Sequence, residues 1–467
     1  MADLWKYGAG KLAEMIRTGK TSSVEVVEAH LARIEAVNGP LNAMVKILAE
    51  PAMRQASEID AALAKGEKLG PLAGVPFTVK ENIDFAGLPT TNGVIGLAEA
   101  IAPSDAPVVE RMRRAGGVAI GRTNLPDMGL RVHTDNDLYG LTRNPWNPAY
   151  TTGGSSGGEA VCLAVGMSPI GLGNDVGGSL RNPASCCGIA SIKPSMGRVP
   201  HANVVPMEDE SVVFQHMVAE GPMARSIADV RLGLSILAGG HVRDPRAIPM
   251  PLEPPAAPTQ RVALLPEPPA GQTDPRIAEV TRAAGQALEK AGYTVDEVEP
   301  PRYEEVIAIW SALIMADIRI ALPLLAPLLS ENANKFLNFA DESVEPSTME
   351  TYAQSWMQRN SLQRAWGQFF TEWDAVLSPT WTQLPFEHGY DVSCASAAGE
   401  VLELIRPVMP GNALGLPSAA VPAGVVDGLP VGVLVTGALW HDLTCLDIAE
   451  KIEAAELVPK TPIDPVT

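Results

Sequence analysis

The sequence predicts an α/β protein with helices layered around a sheet. Three stretches carry that expectation. From 22 to 120, helical patterns alternate with short buried strand patterns; 261–298 reads strand, helix, strand; and 374–455 adds three strand patterns and a closing amphipathic helix.

The first helix is expected over 22–38. Ser22 and Glu25 have capping-box spacing, Val24, Val27, Leu31 and Ile34 share a face, and Asn38, Gly39 and Pro40 give a stop signal. A second helix is expected over 51–65, with Met53, Ile59 and Leu63 on one side. Residues 74–80 then read as a short buried strand that ends at Lys80, where a lysine is ordinarily the first solvated residue. Ser104 and Asp105 are expected to cap a helix through Val108, Val109 and Met112, closed by Gly116 and Gly117 before a strand at 118–120. The segment 124–150 is loop-rich. Small apolar spacing predicts a tightly packed helix over 159–166, a buried strand over 168–173 and a further helix over 183–189.

Five prolines (245, 249, 251, 254, 255) and a sixth at 258 mark a surface crossing. Beyond it come a strand at 261–265, a helix at 275–291 and a strand at 293–298. Residues 302–372 are rich in Leu, Ala, Met and Trp at helical spacing and read as a helical insertion. Strands at 374–377, 419–421 and 431–435 and a helix at 443–455 complete the chain. No internal repeat is evident.

The 467 residues are 46% apolar and 19% charged, enough for a large core. A net charge of −19 argues against nucleic acid or an anionic membrane as partner, since both need basic patches. No uninterrupted apolar run of membrane-spanning length and no signal-peptide pattern is seen, and Cys162, Cys186, Cys187, Cys394 and Cys445 are few and scattered. The expectation is a reduced cytoplasmic protein whose cysteines act as small core hydrophobes. The histidines lack metal-ligand spacing, so neither metal nor cofactor is expected.

The chemistry concentrates in 153–194, where GGSSGG (153–158) and DVGGSLR (175–181) place Ser155 and Ser179 in two glycine-flanked sites. Glycine lets backbone N–H groups approach a ligand, and a run of them stabilises a developing oxyanion. One serine would be the nucleophile and the other a relay. A Ser-His-Asp arrangement using His133 or His201 is the weaker alternative, and a phosphate-binding loop lacks its lysine.

With Lys80 these motifs resemble the amidase signature family of serine hydrolases. VKENID (79–84), GRTNLPDM (121–128), TRNPWN (142–147), GGSSGGE, GNDVGGSLRNPASCCG, IKPSMGRVP (192–200) and GLPVGV (428–433) occur in order along nearly the whole chain. The resemblance implies one large domain over 1–467. Its sheet would be central, mixed, mostly parallel and twisted, with helices on both faces. The catalytic core would span 70–200, the proline-rich crossing 245–258 and the helical insertion 302–372.

Carried over residue by residue, the resemblance makes Lys80 the base, Ser155 the relay on a cis peptide bond and Ser179 the nucleophile. Val176, Gly177, Gly178 and Ser179 would donate N–H groups to the oxyanion, and Ser156, Asp175 and Arg181 would support the loops. A basic Lys80 must be neutral, and bringing its pKa from about 10.4 to near 7 takes roughly 4 kcal/mol. Lys80 is therefore expected to be enclosed away from carboxylates, with Glu81 pointing elsewhere.

Met128, Gly129 and Leu130, the loop 201–215 and the helical insertion would wall the pocket. They carry Met207, Phe214, Trp310, Leu313 and Met315, which suit an apolar acyl or aryl group. The expected activity is hydrolysis of small apolar or aryl amides through a seryl acyl-enzyme, extending to anilides, esters and carbamates (urethanes). The alternative is a glutaminase-type subunit of a tRNA-dependent amidotransferase, whose usual glutamine after the arginine is replaced here by Asn182. The partner is a small amide or carbamate. A homodimer is compatible with this reading, which leaves oligomeric state open.

Overall fold

The computed structural model describes residues 3–253 and 258–466. Its strands are β1 (Met44–Ile47), β2 (Pro76–Lys80), β3 (Val118–Thr123), β4 (Ile170–Asp175), β5 (Ala190–Lys193), β6 (Ala219–Ala224), β7 (Arg261–Leu264), β8 (Thr294–Glu297), β9 (Ala375–Pro379), β10 (Ser418–Val426) and β11 (Leu429–Gly437). They form one mixed sheet in the order β1-β3-β2-β4-β6-β5-β10-β11-β9-β7-β8.

Side chains alternate across this sheet as the strand period requires. Phe77 and Val79, Val433 and Val435, and Ala375 and Leu377 enter one apolar core, whereas Leu434 and Val376 enter the other. Each core is closed by helices, so the protein is a single large α/β domain with both sheet faces covered. Thr78 and Lys80 alternate with Phe77 and Val79 in β2, yet both are fully buried.

The parallel majority expected for the sheet does not hold. Strands β3, β2 and β4 are parallel, as are β9, β7 and β8, but the six other pairings are antiparallel. The β–α–β alternation that suggests parallel pairing is confined to the two wings. Between them a hairpin through Asp427 and Gly428 joins β10 to β11, and β6 runs against β4.

The Ser22 capping box forms, with Glu25 N donating to Ser22 Oγ at 3.1 Å and Ser22 N to Glu25 Oε2 at 2.8 Å. This helix runs past its expected stop, over Ser23–Leu41. Asn38 ends it from within: Asn42 N donates to Asn38 O, and Asn38 Oδ1 accepts from Ala43 N and Met44 N. Ser104 and Asp105 do not cap the helix Pro107–Arg114, whose N-cap is Ala106. Asp105 instead accepts from Ala86 N at 2.8 Å and fixes the preceding loop.

Helices Tyr303–Leu325, Glu331–Glu342 and Met349–Phe369 occupy the stretch read as helical from composition. The first is long and apolar enough to cross a membrane by length and composition, and half of its most apolar window is buried in the protein. Asp317 interrupts that window and ties it to the fold, accepting from Val213 N at 2.8 Å and Tyr352 Oη at 2.9 Å. The proline-rich crossing forms no helix or strand where it is described; Pro254 and Pro255 lie outside the described residues. Four cysteines are buried as expected, but Cys394 is exposed beside the Ser396 hydroxyl.

Candidate active site

The parallel trio β3-β2-β4 brings its carboxyl ends together, and open α/β sheets bind ligands outside such ends. Lys80 is the last residue of β2, and Asn174 and Asp175 are the last two of β4. GGSSGG leads into the helix Gly157–Ala164, and DVGGS leaves β4 for the helix Arg181–Cys187. Both serine loops therefore converge on the end of β2. The Gly154–Ser155 peptide bond is cis.

Lys80 is fully buried, and its Nζ lies 2.7 Å from Ser155 Oγ and 2.8 Å from Asn174 Oδ1. Asn174 is held in turn by a reciprocal amide pair with Asn82, at 3.2 and 3.1 Å. Burial lowers the Lys80 ammonium from its ordinary 10.5 to about 7, against the opposing pull of Glu220, Asp175 and Glu159. Glu81 turns away to an ion pair with Arg122 at 3.2 Å.

Carboxylates do surround the lysine, contrary to the expectation that it lies apart from them, and each has its own partner. Glu159 accepts from Thr78 Oγ1 and Thr123 Oγ1, and burial lifts its carboxyl to about 7. Asp175 meets Arg181 in a fully buried fork, Nε at 3.0 Å and Nη2 at 2.9 Å. Burial pushes the Asp175 carboxyl up, but Arg181, the Leu180 N–H and Lys193 outweigh it and hold it well below the usual range. Glu220 faces His201, whose Nδ1 lies 2.7 Å from Glu220 Oε1.

Asp175 and Arg181 brace the loop that carries Ser179. Asp175 accepts from Gly178 N at 2.8 Å and Leu180 N at 3.0 Å, and Arg181 Nη1 donates to Val408 O at 2.7 Å. This corrects one expected oxyanion donor, because the Gly178 N–H is already taken by Asp175. The N–H groups of Val176, Gly177 and Ser179 have no acceptor among the described residues. Gly178 has φ +96°, and a Cβ there would lie 2.5 Å from the Asn182 amide and 2.6 Å from Val408 Cγ2. Gly178→Ala is accordingly expected to displace Asn182 from Gly177 O and to lower kcat/KM by at least about 100-fold, the size of losing one oxyanion donor. Steady-state kinetics on any turned-over amide checks this.

Ser156 does not support the relay through its side chain. Its hydroxyl is buried without a hydrogen-bond partner among the described residues, and its backbone N donates to Ser179 O at 3.3 Å. The hydroxyls of Ser155 and Ser179 make no hydrogen bond to one another, although both residues line one cavity of about 420 Å³. Neither histidine weighed for a triad reaches Ser179. His133 Nδ1 is 2.8 Å from Thr151 Oγ1, and both ring nitrogens of His201 face glutamates.

Met128, Gly129, Leu130, Met207 and Phe214 line the larger cavity with the two serines. A second cavity of about 320 Å³ shares Gly129, Leu130, Val176, Ser179 and Phe214 with it and extends under Trp310, Ile314 and Phe336. The Trp310 ring packs where a Gly177 Cβ would stand, and its Nε1 donates to Val176 O at 3.2 Å. Leu313, expected on the wall, is instead fully buried in the core. Asn82 and Asn174 lay inside the motifs without a role assigned; their amides were the available signal.

The family model described as Amidase matches residues 25–446. The chain belongs to the amidase family. It is 42% identical over 458 residues to the indoleacetamide hydrolase of Bradyrhizobium diazoefficiens, covering 96% of this chain and 86% of that protein. It is 31% identical over 479 residues to one of the glutamyl-tRNA(Gln) amidotransferase subunits of a Synechococcus species, covering 95% of each. The structure of 6-aminohexanoate cyclic dimer hydrolase complexed with substrate superposes with a TM-score of 0.85 at 30% identity, covering 97% of this chain and 98% of that one. The protein is thus an amidase-family enzyme, and its chemistry is hydrolysis of amide bonds.

Proposed function

We propose that this amidase hydrolyses amides of small apolar or aryl acids through a seryl acyl-enzyme on Ser179. One observation carries the reading: a buried lysine nitrogen lies 2.7 Å from Ser155 Oγ, on the wall of the cavity that Ser179 also lines. A neutral amine there accepts a proton from Ser155 as Ser155 accepts one from Ser179. Ser179 Oγ attacks the amide carbonyl, and the oxyanion takes hydrogen bonds from the Val176, Gly177 and Ser179 amides. The proton returns through Ser155 to the leaving nitrogen, because an amide anion leaves badly. Water activated by the same relay then releases the acid. The relay requires Ser155 and Ser179 to share a proton, a contact that catalytic hydrogen bonds commonly make once substrate is in place.

The smaller cavity supports the substrate class. Trp310, Ile314 and Phe336 wall it, and its one lining cation, Arg131, is held by Asp391 at 2.9 Å. The one carboxylate lining it, Glu403, is likewise held, by Arg406 at 3.2 Å, so an amino-acid substrate would find both charges already paired, whereas an aryl group would be covered. The 42% identity to an indoleacetamide hydrolase points the same way. The glutaminase-type reading stands second, on 31% identity to a component of a glutamyl-tRNA(Gln) amidotransferase. Anilides, esters and carbamates present the same carbonyl with a leaving group the relay can protonate, so they are expected to be turned over as well.

A substrate panel run on the purified chain alone tests this. Aryl acetamides are expected to exceed glutamine in kcat/KM by at least about 100-fold, the size of leaving polar groups unpaired. Equal rates would sink the apolar assignment. A fluorophosphonate is expected to label Ser179 with one-to-one stoichiometry, and absence of labelling would remove the acyl-enzyme.

A further inference from the structure

The substrate cavity has a charged wall that the proton relay does not use. His201 is buried between two glutamates, its Nε2 2.5 Å from Glu210 Oε1 and its Nδ1 2.7 Å from Glu220 Oε1. A neutral imidazole has one N–H and one lone pair, so it can satisfy only one of these carboxylates. With both ring nitrogens against carboxylate oxygens, the ring is an imidazolium. Burial works against that charge, but Glu210 and Glu220 outweigh it and raise the ring to about 10.

Glu220 is the member that shares a cross-strand position with Asn174, the partner of Lys80. In the β4–β6 pairing it stands directly opposite Asn174, and cross-strand partners project to the same face of a sheet. Asn174 Oδ1 is the second partner of Lys80 Nζ, at 2.8 Å. Of the three carboxylates that act on Lys80, Glu220 pulls its pKa up most. Asp175 is neutralised by Arg181, and Glu159 is drawn toward its protonated form by burial. Among the described residues Glu220 forms no ion pair with an arginine or lysine. Its Oε1 is shared by His201 and Asn203, the latter at 3.3 Å, and its Oε2 is buried without a partner.

Two cations, His201 and Arg246, serve the three carboxylates Glu210, Glu220 and Asp244 around the ring. Arg246 Nη2 lies 3.7 Å from Glu210 Oε2, and Asp244 accepts from the His201 N–H while its other oxygen meets Arg246 Nε at 3.3 Å.

We infer that His201 is a positioning residue for the proton relay, whose imidazolium offsets the Glu220 carboxylate opposite Asn174 and so favours the uncharged lysine amine. The inference rests on reading Lys80 as the base. It assigns His201 an electrostatic role with no contact to the reacting atoms, unlike a triad histidine.

The test is the pH profile of kcat/KM from pH 5 to 10. In the wild type it is expected to rise through a midpoint near 7, where Lys80 loses its proton. His201→Gln removes the cation and keeps a donor for one glutamate. Its midpoint is expected about one pH unit higher, the size of an unmatched nearby charge, so that its activity is about tenfold lower at pH 6 and recovers as the pH rises. The double variant His201→Gln, Glu220→Gln is expected to return the midpoint to the wild-type value or below. A His201→Gln midpoint that does not move, or a double variant that keeps the shift, overturns the inference. Should His201→Gln fail to fold by circular dichroism, Glu220→Gln alone decides: a lower midpoint supports the inference, and an unmoved one overturns it. Lys80→Ala runs alongside. Wild-type activity in that variant overturns the base assignment and the inference with it; an inactive Lys80→Ala with an unmoved His201→Gln midpoint overturns the inference alone.

Discussion

Lys80→Met is expected to lower kcat/KM by about 10³- to 10⁴-fold while making the protein more stable at neutral pH, the rate loss being that of removing a general base from a relay. The two effects share one cause. Folding takes the Lys80 ammonium out of water and lowers its pKa from 10.5 to about 7. The unfolded chain therefore binds a proton that the folded chain gives up, and stability falls as pH drops from 10.5 to 7. Methionine has a similar length and no charge to desolvate. Relief of that penalty is of order 4 kcal/mol at pH 7. The lost contacts to Asn174 Oδ1 and Ser155 Oγ return about 1–2 kcal/mol of it. The net gain is about 2 kcal/mol at pH 7, and it should shrink as pH rises and already be reversed at pH 10.5. Denaturant melts of both proteins at pH 7 and pH 10.5 measure the difference directly. A Met variant that is less stable at both pH values would mean that Lys80 is an ordinary ammonium well paired in the fold, and the relay would lose its base.

This balance also explains which parts of the site were legible in the sequence. Lys80, Ser155 and Ser179 sit in contiguous motifs whose glycines and hydroxyls announce their chemistry. Asp175 and Arg181 are six residues apart on one loop, and their pairing across a strand–helix turn follows from that spacing. The neutralising partners of the other carboxylates are not local. Glu220 meets Asn174 only because β6 runs antiparallel to β4. That strand is hidden in the sequence, since AEGPMA carries a glycine and a proline inside a central strand, where both are disfavoured. β5 and β6 also supply the antiparallel pairings at the centre that break the parallel majority implied by the resemblance. Gly178 shows a subtler limit. Its motif predicts a free N–H, yet whether that N–H faces the ligand or the Asp175 carboxylate depends on the φ of one residue. Helix periodicity likewise identified the 302–372 stretch as helical but not which side faces the substrate. Trp310 turns into the cavity, whereas Leu313, less than one turn away, turns into the core.

Arg181→Met is expected to destabilise the protein by about 3–5 kcal/mol, the usual result of leaving one member of a buried pair behind. Asp175 and Arg181 are both without solvent exposure, so neither charge can be compensated by water. Without the guanidinium, the Asp175 carboxylate keeps only Gly178 N, Leu180 N and Asn412 Nδ2 as donors. It then either stays charged without a cation in contact or takes up a proton. Protonation would turn one of its oxygens into a donor and weaken its hold on the Gly178 and Leu180 amides, so the nucleophile loop would loosen in both cases. Asp175→Asn in the same chain removes the orphaned charge, and the double variant is expected to recover about half of the lost stability. It should not recover activity, because an amide offers one acceptor oxygen where the carboxylate offers two to the loop.

Acid behaviour separates the two effects. Arg181 holds the Asp175 carboxyl well below its ordinary 3.8, so the stability it contributes is present above about pH 4 and is lost as pH falls through the folded-state value. The wild type should therefore lose stability more steeply below pH 4 than the double variant, measured by the denaturant midpoint at pH 3 against pH 6. Equal slopes would mean that the pair adds geometry to the loop and no pH-dependent stability. A double variant with wild-type kcat/KM would mean that the serine loop holds its shape without the two residues beneath it.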